Sequence, residues 1–236
     1  MRILLLFIFL QLGFFCFAQN DLIKTVSEKA ENLLKENTNI LNQEITDLIH
    51  EILDDASTYA INQAKIKGGF NENHLIRIKF PLEAKKIKDA LKKIGMKKQI
   101  HIFEDNMNAS AEHASNQALA IFKQAINNMN IDDAYSIING EDDAATSYLK
   151  RSSIQKLNPL IKMIISSSMK DFKVLENWEN LISRYNKIPF SKKIDFDLEE
   201  YITSQTINGL FILMQSHERI IRKDIELKIN TLLNKY

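Results

Sequence analysis

The densest polar stretch of the chain is Gly140-Glu141-Asp142-Asp143-Ala144-Ala145-Thr146-Ser147-Tyr148. Three adjacent carboxylates could bind a cation or work as acid and base. They could equally start a helix, with Asp142 or Asp143 accepting its first free N–H groups, and capping is the favoured reading. The alternating ligands and closing Glu of a calcium loop are absent. His50-Glu51 followed by Asp54 approaches a zinc-protease helix, but the second His is missing and no third ligand stands in register. His74, His101, His113 and His217 show no metal spacing. The chain has no Gly-rich phosphate loop, no nucleophile elbow and no dinucleotide fingerprint. No metal and no cofactor are expected.

A second concentration of charge is basic. Lys79, Lys85, Lys86, Lys88, Lys92, Lys93, Lys97 and Lys98 face only Glu83 and Asp89 in the same stretch. The simplest account is a solvated helix face. The alternative is weak contact with anionic headgroups or an acidic partner, through Lys85, Lys86, Lys92 and Lys93. Aromatic residues are not interleaved as a nucleic-acid platform requires. The whole chain carries 31 basic against 30 acidic residues, which argues against a general nucleic-acid binder.

These residues must be positioned by helices. Among 236 residues only six are Gly and three Pro, too few to punctuate a many-stranded sandwich or barrel. Residues 1–18 read as an export signal. Arg2 supplies the positive start, residues 3–15 are apolar apart from Gln11 and Gly13, and Cys16-Phe17-Ala18 places small residues before a polar break. Cleavage is expected after Ala18. Lipidation at Cys16 is disfavoured, because bulky Phe15 precedes it. Cleavage removes the single Cys, which excludes thiol catalysis, Cys-ligated zinc and disulfides from the mature chain. The expected compartment is the periplasm. No other stretch is long and apolar enough to span a membrane.

Beyond the signal, apolar spacing predicts helix over residues 22–66, ended by Gly68-Gly69. This N-terminal segment, 19–66, is amphipathic. It could pack on the body or serve as an arm for self-association into a homo-oligomer. Leu75 to Phe80 alternates like a strand and needs a partner, which residues 192–198 could supply as a two-stranded ribbon. Helices are predicted over 82–94, 103–129, 131–138, 142–152, 154–170 (interrupted by Pro159), 172–185, 198–222 and 224–235. Met107, Ala111, Ala114, Ala118, Ile121, Phe122, Ala125 and Met129 share one face, whose small residues would admit a close neighbour. The expectation is an all-α protein with one helical domain over 67–236.

Several local patterns occur in a fixed order. They are Gly69-Phe70, Ile76-Arg77-Ile78 before Pro81, Met107-Asn108 leading to Ala111-Glu112, Ala125-Ile126 with Met129, and Asp133-Ala134. There follow Gly140 through Asp143-Ala144-Ala145-Thr146 to Tyr148, Tyr185-Asn186 with Pro189, Asp197-Leu198 with Tyr201 and Thr203, Gly209-Leu210-Phe211, and Glu218 with Ile221-Arg222. In this ordered set the chain resembles a bacterial family known as a domain of unknown function, DUF4197, from about Gly68 to Leu233. It departs at Ala109, where that pattern carries Arg, and it lacks the Pro shortly after Ile-Arg. The resemblance implies an exported, mostly helical protein and brings no activity with it.

Resemblance and chemistry together select Glu112, Asp142, Asp143, Thr146, Tyr148, Tyr185, Asn186 and Arg222 as a candidate polar cluster. Charged residues on apolar helix faces are usually paired. Glu112 and Arg222 are therefore expected to meet inside the domain, directly or through Tyr148 or Asn186. Such a pair would fix helix register, floor a ligand pocket, or supply a general base from Glu112 or Asp143. The favoured function is an exported binding or scaffolding protein with a protein or small-molecule partner. The alternatives are a hydrolase of unrecognised type and a protein of the membrane surface.

Overall fold

A computed structural model describes residues 40–129, 134–191 and 196–233. The expected signal sequence, residues 22–39 of the expected N-terminal helix, residues 130–133 and residues 192–195 of the expected ribbon lie outside them. Among the described residues the protein is all-α, with seven helices. These are α1 (40–64 in the described part), α2 (Lys85–Lys93), α3 (Lys97–Asn127), α4 (Ala134–Ile138), α5 (Ala144–Asp171), α6 (Val174–Asn186) and α7 (Leu198–Leu233). The long helices α3, α5 and α7 form the centre, with α5 packed extensively on both others; α6 covers α2 and α3. Each long helix turns one stripe inward. On α5 the stripe is Leu149, Ser153, Leu157, Ile161 and Ile165, at the four-residue spacing that keeps a helix face continuous.

Helix α1 belongs to this core. Ile45, Ile49, Ile52, Leu53, Ala56 and Ala60 are buried. Its outer side is tied across by Lys123 to Asp54 at 3.3 Å and by His217 Nε2 to Asp55 Oδ2 at 2.9 Å, with the His217 ring stacked on Tyr59. Residues 45–64 thus pack on the body rather than project from it.

Two expected breaks in the helices do not occur. The segments 142–152 and 154–170 form the single helix α5, which runs through Pro159. Proline removes one donor and crowds the preceding turn. Pro159 lies on the exposed side, while buried Leu157 and Ile161 hold the helix on both sides of it. Likewise 198–222 continues without a break into the closing helix as α7.

The expected strand at 75–80 is not one. Its alternation is real, since Ile76, Ile78 and Phe80 are buried, but the partner is a helix. Side chains one turn apart on α3 hold the segment's backbone. Asn108 accepts from the Ile78 N–H at 2.8 Å and donates to the Ile78 carbonyl at 2.8 Å, as a neighbouring strand residue would. Glu104 accepts from the Phe80 N–H at 3.1 Å. At the other end Tyr201 donates to the Lys79 carbonyl at 3.0 Å. A buried backbone needs partners, and it is indifferent to whether strand or side chain provides them.

Candidate functional site

Glu112 continues that ladder by one more turn of α3. Its Oε1 accepts from the N–H groups of Phe70 and Asn71, both at 3.1 Å. The turn that presents those groups depends on glycine. A Cβ on Gly69 would sit 2.4 Å from the Ala64 carbonyl oxygen, and Gly68 adopts a φ of 84°. Asn71 is held by its own side chain, which donates to Asp105 at 3.1 Å. Glu104, Asn108 and Glu112 therefore form a polar spine on α3, spaced four residues apart, that binds residues 70–80 to the bundle.

Arg222 lies in a separate cluster. It donates to Glu218 from Nε at 3.1 Å and from Nη2 at 3.0 Å, and to the Ile138 and Ile137 carbonyls at 2.9 and 3.1 Å. Glu218 in turn accepts from the N–H of Ala145 at 3.0 Å and of Thr146 at 2.8 Å. Both side chains are buried, Glu218 completely. This ion pair on α7 clips the α4–α5 turn at both of its ends. The carboxylate takes the free N–H groups at the start of α5, and the guanidinium takes the last carbonyls of α4. Each charge faces the helix end whose partial charge it complements. No ion pair joins Glu112 to Arg222 among the described residues; each is satisfied by its own set of backbone groups.

The acidic run adopts a different role from the expected one. Asp143 occupies the cap position of α5 but makes no side-chain capping bond. Glu218, seventy-odd positions later in the chain, does that work. Asp143 instead pairs with Arg219 and accepts weakly from Ser147 at 3.4 Å. Asp142 is exposed. Thr146 is buried and contributes its backbone N–H to the clip. Tyr148 is half-buried on α5 next to the cluster. Tyr185 is buried on α6, and Asn186 is exposed beside Trp178 and Ile182 in a shallow surface hollow. The eight candidates thus divide between α3, the α4–α5 turn with α7, and the end of α6. Among the described residues no three His, Cys, Asp or Glu converge as a metal site.

The concavity most like a ligand site was not singled out by sequence. It is a groove of about 350 Å³ between the C-terminal half of α3 and the first half of α5. Ile121, Ala125 and Met129 line one side, and Leu157 and Leu160 line the other. Lys156 is the one charged residue lining it, with the Gln124 and Asn128 amides opposite. Ala125 and Met129 were legible as an apolar face; that α5 leaves them partly open was not.

Fold and site together define an all-helical protein whose buried polar residues hold backbone turns onto long helices. The chain belongs to the protein family of unknown function DUF4197, whose model matches residues 39–236. The match takes in α1 as well as the segments whose patterns were recognised. No curated protein and no solved structure matches the chain.

Proposed function

We propose that the protein is exported and acts as a binding protein, using the groove between α3 and α5. The observation that carries this reading is the groove's make-up. About 350 Å³ of space with an apolar floor of Ile121, Ala125, Met129, Leu157 and Leu160, a polar rim of Gln124, Asn128, Ser152 and Ser153, and a single ammonium at Lys156 suits a small amphipathic molecule bearing one anionic group. Export is supported by Arg2, the apolar run 3–15 and the small residues at 16 and 18. A hydrolase is the weaker reading. A general base needs a carboxylate facing a cleft, and Glu112 is turned onto the Phe70 and Asn71 amides while Asp143 is paired with Arg219.

The anionic dye anilinonaphthalene sulfonate tests the groove directly. Saturable one-to-one binding is expected. Ala125→Trp, which fills the groove, should abolish it, and Lys156→Ala should weaken it about three- to fivefold, the worth of a partly exposed charged contact. Binding that is unsaturable, or unchanged in both variants, refutes the groove. Intact-mass measurement of the protein recovered from the periplasm tests export; a mass that does not fit residues 19–236, with or without loss of ammonia from an N-terminal Gln19, moves the cleavage point, and absence from that fraction refutes export.

A further inference from the structure

The corner where α2 turns into α3 is not explained by the groove. Helix α2 ends in a glycine cap: Gly95 has a φ of 86°, its N–H donates to the Lys92 carbonyl at 3.2 Å, and the Met96 N–H donates to Leu91 at 3.0 Å. That cap brings Lys92 and Lys93, in the last turn of α2, close to Lys97 and Lys98, in the first turn of α3. Ile94 lies between them and is 51% exposed. All four lysines are exposed, and a Cβ built on Gly95 would meet no atom within 4 Å. The corner therefore juts into open space.

Two features distinguish this from an ordinary solvated face. First, the charge is only partly neutralised locally. Lys85 is paired with Asp89, whose carboxylate also attracts Lys92 and Lys93, and Lys88 is paired with Glu104, but among the described residues no salt bridge reaches Lys92, Lys93, Lys97 or Lys98. Secondly, large aliphatic groups stand among the cations. Ile94 stands between the two lysine pairs, and Leu82, in the bend three residues before α2, is 81% exposed. Ile94 and Leu82 have nothing to gain from a nucleic acid backbone, and a purely acidic peptide segment would leave them uncovered. The aromatic of this stretch, Phe80, is buried and cannot stack on bases. Aliphatic tips beside unpaired lysines match a surface that offers negative charge above hydrocarbon.

We propose that the α2–α3 corner docks on an anionic phospholipid bilayer, with Lys92, Lys93, Lys97 and Lys98 at the headgroups and Ile94 entering the boundary of the acyl chains. Each lysine close to such a surface strengthens binding by about fivefold, and the attraction extends over a Debye length of ~10 Å at 0.1 M salt. Docking through this corner leaves the α3–α5 groove to be judged by its own experiment.

Sedimentation with large vesicles provides the test, using protein expressed from the full-length gene and purified from the soluble fraction. The vesicles are phosphatidylcholine alone and phosphatidylcholine with about 40% phosphatidylglycerol, a composition that gives a clearly negative surface potential. Binding to the anionic vesicles alone is expected, falling at least tenfold between about 0.1 and 0.5 M salt. Lys92→Glu/Lys93→Glu should lose at least about 25-fold, and Ile94→Ser about fivefold. All three positions are exposed, so unchanged circular dichroism and Trp178 fluorescence should accompany the loss. Equal binding to both vesicle types, or binding that ignores these substitutions, overturns the proposal. So does failure to bind vesicles while polyglutamate or duplex DNA is bound through the same lysines, which would make the partner an acidic macromolecule.

Discussion

Substitution of Glu218 by Gln should destabilise the protein by about 3–4 kcal/mol, although the side chain changes by one atom. Glu218 Oε1 accepts from Ala145 and twice from Arg222, while Oε2 accepts from Thr146. Glutamine has one oxygen. Placing its NH2 at Oε1 would face three donors with a donor, so it must take the Oε2 position and leave the buried Thr146 N–H unpaired. That costs about 1–3 kcal/mol. Arg222 also loses its counter-ion in a buried site, a loss that reaches about 3–5 kcal/mol where nothing compensates. Its bonds to the Ile137 and Ile138 carbonyls, at 3.1 and 2.9 Å, moderate this. Urea unfolding followed by the fluorescence of the single tryptophan, Trp178, measures the sum. Its ring packs against Phe103 at 5.4 Å and Phe80 at 5.8 Å, so it reports on the core. A fall of 3–4 kcal/mol corresponds to a Tm lower by about 6–16 °C. The double substitution Glu218→Leu/Arg222→Leu separates two accounts. Were the pair merely two buried charges, apolar replacement would be neutral or stabilising. Here it also strands the Ile138 carbonyl and two N–H groups, at about 1 kcal/mol each, while the Ile137 carbonyl keeps the Gly140 N–H, so the double variant should remain about 3 kcal/mol below the wild type. Recovery to wild-type stability would refute the clip.

Three further substitutions test the rest of the argument. Asn108→Ala strips both partners from the buried Ile78 backbone and should cost about 2–4 kcal/mol in the same urea assay; a cost under about 1 kcal/mol would mean that residues 70–80 are held otherwise. Gly209→Ala should destabilise by about 1–2 kcal/mol despite the better helix propensity of alanine, because the new Cβ would lie 2.9 Å from the Phe70 ring and 3.2 Å from Ile76 Cβ; a gain in Tm refutes the close approach. Burial, with the Glu83 and Glu104 carboxylates nearby, pushes the Tyr201 phenol up to about 12. A raised pKa means that its contribution is fully present below pH 10 and is lost as pH rises from about 10 to 12. Tyr201→Phe, which also forfeits the bond to Lys79, should therefore show a shallower fall in stability across that window than the wild type; parallel profiles would exclude Tyr201 as the titrating group.

What the sequence made legible was periodic. The apolar stripes of α3, α5 and α7 repeat every three to four residues, and that spacing reports a buried face whatever lies opposite. The same logic read the alternation at 76, 78 and 80 correctly as burial but assigned it the wrong partner. Alternation says which side chains go inward; it does not say whether the backbone's hydrogen bonds are met by a strand or by Asn108. Capping failed for a related reason. Local rules assign the start of α5 to the nearest acids, Asp142 and Asp143, whereas Glu218 arrives from another helix with a buried arginine behind it. Such a cap has no local signature, because its donor and acceptor are joined only by tertiary packing. The pairing of Glu112 with Arg222 rested on the premise that a buried charge seeks an opposite charge. Backbone dipoles at turns and helix ends answered that need instead.

This division of labour bears on function. Glu104, Asn108, Glu112, Glu218 and Arg222 are the polar residues one would first examine for chemistry, and each already satisfies backbone groups that have no other partner. A carboxylate whose oxygens accept from two backbone N–H groups is turned onto the chain instead of toward a cleft, the opposite of what a general base requires. Removing any of them should unfold a turn before it alters a reaction, so loss of function in such variants would not by itself identify a site. The informative positions are those whose side chains hold no backbone turn: Lys156 and Ala125 at the groove, and Lys92, Lys93 and Ile94 at the corner. Variants there keep the clip and the ladder intact, so a loss of binding at either place can be assigned to the surface itself.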